Sequence, residues 1–370
     1  RIDDLLHAAV NGRGEFIAAT DASRFADQLT GLLNQIQSRL AAGSNVAVNS
    51  ASFQSDTRSY QAVYQTVQWT GDLIARDVTP SGISPTEAWR VSQRIEATFA
   101  DALPANDYNL RNVLTHNGTG GATFPTPAQT GLLERTTGVA PVSGALNAAY
   151  LRGSRALERP NGGTLRNRPV LLGDIVNSSP FYLRTNETIF VGANDGMMHA
   201  VNALTGDVRF SYVPKGLDFT KLGSLSDPAY VHAFFVDGPV TVSSDRIDPA
   251  RSILVGTLGR GGKGAYALDV TTPSAMDAAD VLWDDTGSTD PDMGYSTGLP
   301  LIAKGNNAQK LAIVANGMNS TSEDAALFIY ELETGALIRK IKVGQAGGNG
   351  LASPRGADVN GDGIVDFVYA

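Results

Sequence analysis

The fold class predicted is all-β with a helical N-terminal segment: a β-propeller of four-stranded blades, incomplete within this chain. Three observations predict it. From Pro169 onward, four short apolar runs recur in the same order at a spacing near 60 residues. Gly supplies 40 of the 370 residues and charged residues only 18%, against about 25% in ordinary soluble domains. Apolar residues reach 42%, enough for a sizeable core, and length suits about two domains or one large β domain.

Residues 1–45 read as a helical segment. Phe25, Leu29, Leu32, Leu33, Ile36 and Leu40 recur at spacings of three and four, one face of an amphipathic helix. Thr20 or Asp21 caps its start and Gly43 ends it. Residues 46–370 read as the propeller domain, irregular over 46–168. Within that part, Tyr60–Trp69 and Leu73–Val78 form a hairpin about a Thr70-Gly71-Asp72 turn. A helix covers Glu87–Phe99, a strand Arg111–His116, and a loop Asn117–Pro127. Helix is expected mainly within the first hundred residues.

The regular blades follow. Each opens with a proline-bearing strand, at Pro180, Pro239 and Pro300, where a missing N–H is tolerated at a strand start. Second strands are 188–192, 252–256 and 310–315. Third strands are 197–203, 264–270 and 326–332. Fourth strands are 207–213, 280–284 and 336–343. Pro354 begins a fourth unit that stops at Ala370 in its second strand, so the native protein is expected to extend further and close the ring. A meander sandwich is the alternative, but sandwiches rarely repeat strand order this regularly.

Charge and composition exclude several functions. The balance of 29 Lys+Arg against 37 Asp+Glu gives −8, with no Lys/Arg run, which argues against nucleic acid as a partner. There is no cysteine, so thiol catalysis, disulfides and cysteine–zinc sites are absent. No run of 18 apolar residues is present, so no helical membrane-spanning segment is expected. Arg1 opens the chain without a start methionine, which reads as an interior piece of something longer.

The strongest chemical motif is Asp358-Val359-Asn360-Gly361-Asp362-Gly363-Ile364-Val365-Asp366. Side-chain oxygens fall at positions 1, 3, 5 and 9. Calcium takes six to eight hard oxygens, and alternate residues of a tight loop supply them. The metal ligands expected are Asp358, Asn360, Asp362 and Asp366 with the Ile364 carbonyl, and the cofactor Ca²⁺. It is not an EF-hand, since Tyr369 stands where the bidentate Glu belongs. The competing reading is a solvated Asx-rich turn.

Other matches are weaker. Gly294-Tyr295-Ser296-Thr297-Gly298 fits GxSxG, but a strand follows where the nucleophile elbow needs a helix. Gly259–Gly264 lacks the Ser or Thr of a phosphate loop and reads as a Gly-rich hairpin. His199 falls in a strand and reads as a packing or hydrogen-bonding residue. Asp284, Asp285, Asp290 and Asp292 fit no metal-loop spacing and read as a solvated blade edge, with a second cation as the alternative. Asn194-Asp195-Gly196 is a hairpin turn. No catalytic residue is assigned.

Several stretches closely resemble one family. They are RNRPVLLGDIVNSSPFYL (166–183), VGANDGMMHAVNALTGD (191–207), GTLGRGGKGAYALDVTTP (256–273) and ADVNGDGIVDFVYA (357–370). They are similar to the C-terminal domain of PilC/PilY-type proteins, type IV pilus biogenesis factors and pilus-tip adhesins. The segment at 21–41 resembles the tail of a von Willebrand A-type domain. The resemblance implies a distorted β-propeller and a calcium loop mapping onto the five ligands named above. It also implies support of pilus assembly, opposition to retraction, and surface adhesion. Minor pilins at the pilus tip are the implied partners, with host-surface receptors beside them. The implied location is the pilus tip, cell surface or outer membrane of a Gram-negative bacterium. Two other functions stay open: a quinoprotein-dehydrogenase-type propeller enzyme and a carbohydrate-binding propeller. Quinoprotein blades repeat a docking tryptophan, whereas Trp69, Trp89 and Trp283 share no evident position.

Overall fold

The computed structural model describes residues 41–48, 57–99, 107–343, 347–348 and 350–370. The expected helix over 21–41 lies outside them, apart from its last residue. Strand β1, Ala41–Val48, already occupies Gly43, so the sheet structure begins before residue 46 and Gly43 is not a helix stop.

Four antiparallel meanders follow one another. The first, β1 with β2 (Arg58–Gln65), β3 (Thr70–Thr79) and β4 (Gly82–Arg90), makes a complete four-stranded sheet where only a hairpin was expected. The second contains β7 (Phe181–Leu183), β8 (Thr188–Ala193), β9 (Met197–Asn202) and β10 (Val208–Val213). The third is β11 (Val240–Val242), β12 (Ile253–Thr257), β13 (Ala265–Asp269) and β14 (Val281–Asp284). The fourth is β15 (Leu301–Lys304), β16 (Lys310–Ala315), β17 (Ala325–Glu331) and β18 (Leu337–Val343). A two-stranded remnant, β19 (Arg355–Ala357) and β20 (Phe367–Tyr369), follows. Every strand expected from Pro169 onward is present.

The sheets pack face to face, which explains why second strands read as continuous apolar runs. Ile189, Val191 and Ala193 of β8 face the first sheet, against Leu73, Ala75 and Trp89. Phe190 of the same strand points to the opposite side, into the cluster with Leu254 and Leu268. In β12, Ile253 and Val255 meet Ala312 and Val314 of β16. Leu311, Ile313 and Ala315 turn the other way, toward Leu351 and Val368. A strand buried on both faces has no polar side to alternate with.

Two expectations about the first sheet and the helix after it are corrected. The Thr70-Gly71-Asp72 turn is instead the start of β3; the turn comes earlier, closing on Trp69, whose N–H donates to the Gln65 carbonyl at 2.9 Å. Gly71 marks a close approach, because a Cβ there would lie 2.4 Å from the Gly173 carbonyl oxygen. The helix expected from Glu87 starts later, as α1 at Val91–Phe99, after β4 has placed Trp89 in the core. Asp72 fixes that start by accepting the Ser92 N–H at 3.0 Å and hydroxyl at 2.6 Å.

Helix is also not confined to the first hundred residues. The stretch between the first two sheets holds α2 (Pro127–Leu132) and α3 (Gly144–Arg152), and α4 (Phe219–Gly223) follows β10. Thr126 and Gln129 form a capping box on α2, and Ser143 caps α3. The same stretch adds β5 (Val113–His116), parallel to β10, and β6 (Gly121–Thr123), which lies within the expected loop. The second sheet therefore has six strands in the order β6-β5-β10-β9-β8-β7.

A repeated lock joins neighbouring sheets. The Trp89 Nε1–H donates to the Ala203 carbonyl at 3.0 Å, and the Trp283 Nε1–H to the Leu332 carbonyl at 2.8 Å. Each indole is overlain by the glycine of a Thr-Gly turn in the next sheet. Gly206 (φ 80°) lies on Trp89 and Gly335 (φ 69°) on Trp283, so close that a Cβ would sit 2.8 and 2.5 Å from the ring. Trp89 and Trp283 thus occupy one equivalent position on the fourth strand, contrary to the sequence reading.

Candidate functional site

The expected calcium loop connects β19 to β20 on the protein's surface. Its residues from Val359 to Gly363 are exposed and Gly363 sits at φ 84°. Asp358 accepts the Gly361 N–H on one carboxylate oxygen at 2.7 Å and the Gly363 N–H on the other at 2.8 Å. Asn360 accepts the Asp362 N–H at 3.0 Å through its amide oxygen. Asp362 accepts the Ile364 N–H at 2.8 Å, and Asp366 accepts the Val359 N–H at 2.8 Å. The loop's far end is anchored: Val365 donates to the Lys304 carbonyl at 2.8 Å and Asp366 to the Ala357 carbonyl at 2.9 Å.

The four side chains are thus brought into one tight loop. However, among the described residues no three His, Asp or Glu side chains converge closely enough to hold a metal. Converging carboxylates repel, and here each is drawn to backbone N–H groups instead. The donor set still fits a hard cation. A carboxylate offers about four lone-pair sites, and the bonds above use two on Asp358. Three carboxylates, one amide oxygen and the Ile364 carbonyl are all oxygen ligands of the kind calcium takes.

The enzyme-like matches resolve as scaffold. Ser296 is buried and donates to the Ala315 carbonyl at 2.7 Å, pinning the entry to β15. His199 is fully buried, with Nε2 3.0 Å from Asp195 Oδ2 and Nδ1 2.9 Å from Ser211 Oγ. The arrangement mimics a Ser-His-Asp triad. Yet Ser211 is also fully buried and Arg111 lies 3.3 Å from its hydroxyl, so no substrate reaches it. Gly259–Gly261 forms one helical turn in the β12–β13 hairpin, as expected.

The acidic run is not a solvated edge. Asp284 and Asp292 are buried. Asp284 accepts the Tyr212 hydroxyl at 2.6 Å and the Lys215 N–H at 2.9 Å. Asp290 holds Lys340 at 2.9 Å, and Asp292 holds Lys340 at 2.6 Å and Lys342 at 2.9 Å. Both lysines stand on β18, fifty residues away, so nothing local in the acidic run announces the pairing. Hydrogen bonds from Lys340, Ser322 and Lys342 hold the Asp292 carboxyl well below the usual carboxylate range. A depressed carboxyl contributes stability that is present above its unfolded pKa, about 3.9, and lost as pH falls through the folded value. The urea-midpoint gap between the parent and Asp292→Asn should therefore be full at pH 6 and narrow below about pH 4. An equal gap at pH 3 and pH 6 would refute this pairing.

Comparison with known proteins decides the family. The profile of the PilY1 beta-propeller domain matches residues 178–370, more than half of the chain. The chain belongs to the PilY1 beta-propeller family. Type IV pilus biogenesis factor PilY1 of Pseudomonas aeruginosa strain PAK is 33% identical over 417 residues, covering 99% of this chain and 35% of that protein. A PilY1 homolog of Xylella fastidiosa is 32% identical, covering 97% of this chain and 29% of its own length. The crystal structure of the Pseudomonas aeruginosa PilY1 C-terminal domain shares 37% identity over 49% of this chain and 36% of that one, with a TM-score of 0.41. The chain spans about a third of the length of the curated PilY1 relatives it matches. These relatives are named as biogenesis factors, not as enzymes. No described helix is long and apolar enough to cross a membrane.

Proposed function

We propose that the chain is a calcium-binding, non-enzymatic propeller of a type IV pilus protein. It acts at the exported, pilus-tip end of the machinery in a Gram-negative bacterium. It supports pilus assembly, opposes retraction and contributes to surface adhesion, with minor pilins and host-surface receptors as partners. Membership of the PilY1 beta-propeller family supports the pilus role. The closed hydrogen-bonding of Ser296 and His199 supports the absence of catalysis. The tryptophan–glycine lock occurs on only two of the four meanders' last strands and makes only contacts between sheets, so it favours no enzyme.

The observation that carries calcium is the loop from Asp358 to Asp366, whose N–H groups already hold its carboxylates within one turn. Calcium would be held by Asp358, Asn360, Asp362 and Asp366 with the Ile364 carbonyl, and would supply the positive charge that lets these oxygens converge. The chain's own bonds then transmit the ordering, because Val365 and Asp366 tie the loop to β15 and β19. Magnesium is disfavoured, since it demands a tight octahedron and sheds water reluctantly.

Calorimetry is expected to show one Ca²⁺ bound per chain, with stabilisation of about 2.7 kcal/mol at free calcium 100 times Kd. Asp362→Ala should lose most of the affinity, and Asp358→Lys all of it, with both chains folded. A folded parent chain that takes up no calcium at millimolar concentration would sink the site. Uptake by the parent with unchanged piliation in an Asp362→Ala strain would keep the site and remove its regulatory role.

A further inference from the structure

In a four-stranded meander, the turn between the second and third strands and the connection to the next sheet leave from the same end. At that end, three such segments and the stretch leading into β7 bring cations and aromatic rings together. Trp69, in the β2–β3 turn, stacks on His232 with ring centroids 3.9 Å apart. His232 meets the edge of Phe234 at 4.8 Å, in the connection from β10 to β11. The Arg260 guanidinium, in the β12–β13 turn, lies 5.2 Å from the Phe234 ring. At the other end of the row, the Arg166 guanidinium sits 4.7 Å from the Tyr230 ring and reaches the Gln68 carbonyl at 3.4 Å. The row is therefore continuous from Arg166 to Arg260.

Two properties distinguish it from packing. First, its arginines bond to no carboxylate, although the buried Asp237 carboxyl feels the Arg260 charge. Among the other cations, Arg135, Arg168, Arg251, Lys310 and Lys340 pair with carboxylates, whereas Arg111, Arg152 and Arg209 bond to carbonyls and hydroxyls. Arg166 and Arg260 make no ion pair with a described residue, and Lys263, three residues on, rests over Tyr295 at 5.9 Å. The carboxylates beneath the row are committed: Asp174 is buried against His232 at 2.8 Å, and Asp237 is buried against Asn177 at 2.6 Å. Second, the row is flanked by bare aliphatic side chains. Val231 is 82% exposed and Val67 64% exposed. Both sit within two residues of the stacked Trp69–His232 pair.

We propose that this strip docks an acidic peptide segment of a partner protein. Its carboxylates would take the free N–H donors of Arg166 and Arg260, and its aliphatic or aromatic side chains would cover Val67 and Val231. A guanidinium lying over a ring keeps its edge donors available for a carboxylate. Cations alone would serve any polyanion; the exposed valines favour a peptide, because only a partner with apolar side chains gains by covering them. The surface is distinct from the calcium loop and stands whether or not that loop takes the ion.

The test is a selection of random 12-residue displayed peptides on the folded 370-residue chain. Binding of the enriched sequences is then measured by fluorescence anisotropy as synthetic peptides. Enriched sequences should be acidic and carry aliphatic or aromatic residues. Their Kd should rise at least about tenfold in the Arg166→Glu/Arg260→Glu double variant, and also with added salt, as screening predicts. Val231→Asp, which alters only an exposed side chain and leaves the core untouched, should weaken binding several-fold and guards against a misfolded double variant. The proposal is overturned if no peptide is enriched, if the enriched peptides are neutral or basic, or if Val231→Asp binds them as the parent does. A heparin fragment that binds as tightly as the best peptide and ignores Val231→Asp would overturn it in favour of a polyanion surface.

Discussion

Trp283→Ala is expected to lower the free energy of unfolding by about 3–5 kcal/mol, the range for deleting a buried large aromatic. The indole does three things at once. It fills the space between the third and fourth sheets, beside Ala312 and Phe328. It stacks on Tyr330 with centroids 5.4 Å apart. Its N–H satisfies the Leu332 carbonyl, which is buried in the same interface. Alanine removes all three and leaves a cavity under Gly335, whose backbone already lies as near as a glycine permits. Trp283→Phe keeps most of the ring but orphans the Leu332 carbonyl, a loss of about 1–3 kcal/mol. Urea denaturation of the three proteins gives the ordering. An alanine variant within 1 kcal/mol of the parent would show that the sheets are held by something other than this lock. The equivalent change at Trp89 should behave alike, because Tyr60 stacks on it at 5.7 Å and Gly206 covers it.

The lock also shows where the sequence was legible and where it was not. The three regular blades could be read because their second strands are buried on both faces, so β8, β12 and β16 appear as unbroken apolar runs. The first sheet escaped because β4 is largely exposed and contains Pro85, and so lacks that signal. The partnership of tryptophan and glycine was hidden by distance along the chain. Trp283 precedes Gly335 by 52 residues, but Trp89 precedes Gly206 by 117, with β5, β6, α2 and α3 lying between. The ligands proposed for calcium could be singled out because they lie within nine residues. Lys340 and Lys342 were not, because they reach Asp290 and Asp292 only through folding of the fourth sheet. The Arg166–Trp69–His232–Arg260 row has no sequence signal at all, since four separate segments build it.

Glu158→Ala is expected to cost about 3–5 kcal/mol, as does removing one partner of a buried ion pair. Glu158 is 1% exposed and accepts Arg168 Nε–H at 2.8 Å and Arg155 at 3.0 Å. Arg168 also donates to the Tyr150 carbonyl at 2.6 Å and the Ser154 carbonyl at 2.7 Å, with its guanidinium 3.5 Å from the Tyr150 ring. Arg155 goes on to pair with Glu96 of α1, which in turn accepts the Leu171 N–H at 3.0 Å. This chain of charges fastens α1 and α3 to the stretch entering the second sheet. Without the carboxylate, Arg168 remains in a closed site facing Arg155, and two guanidinium groups lose their common counter-charge. A second substitution distinguishes a lost bond from a stranded charge. Glu158→Met/Arg168→Met removes both charges together, and a matched apolar pair often recovers what a single deletion loses. Recovery should be partial, because the Tyr150 and Ser154 carbonyls would then lack the Arg168 donors and each buried unmet acceptor costs about 1–3 kcal/mol. The double variant should therefore be no less stable than Glu158→Ala, yet remain below the parent in urea midpoint. If it is less stable than Glu158→Ala, the dominant contribution is the arginine's bonds to those carbonyls, and the ion pair itself is secondary.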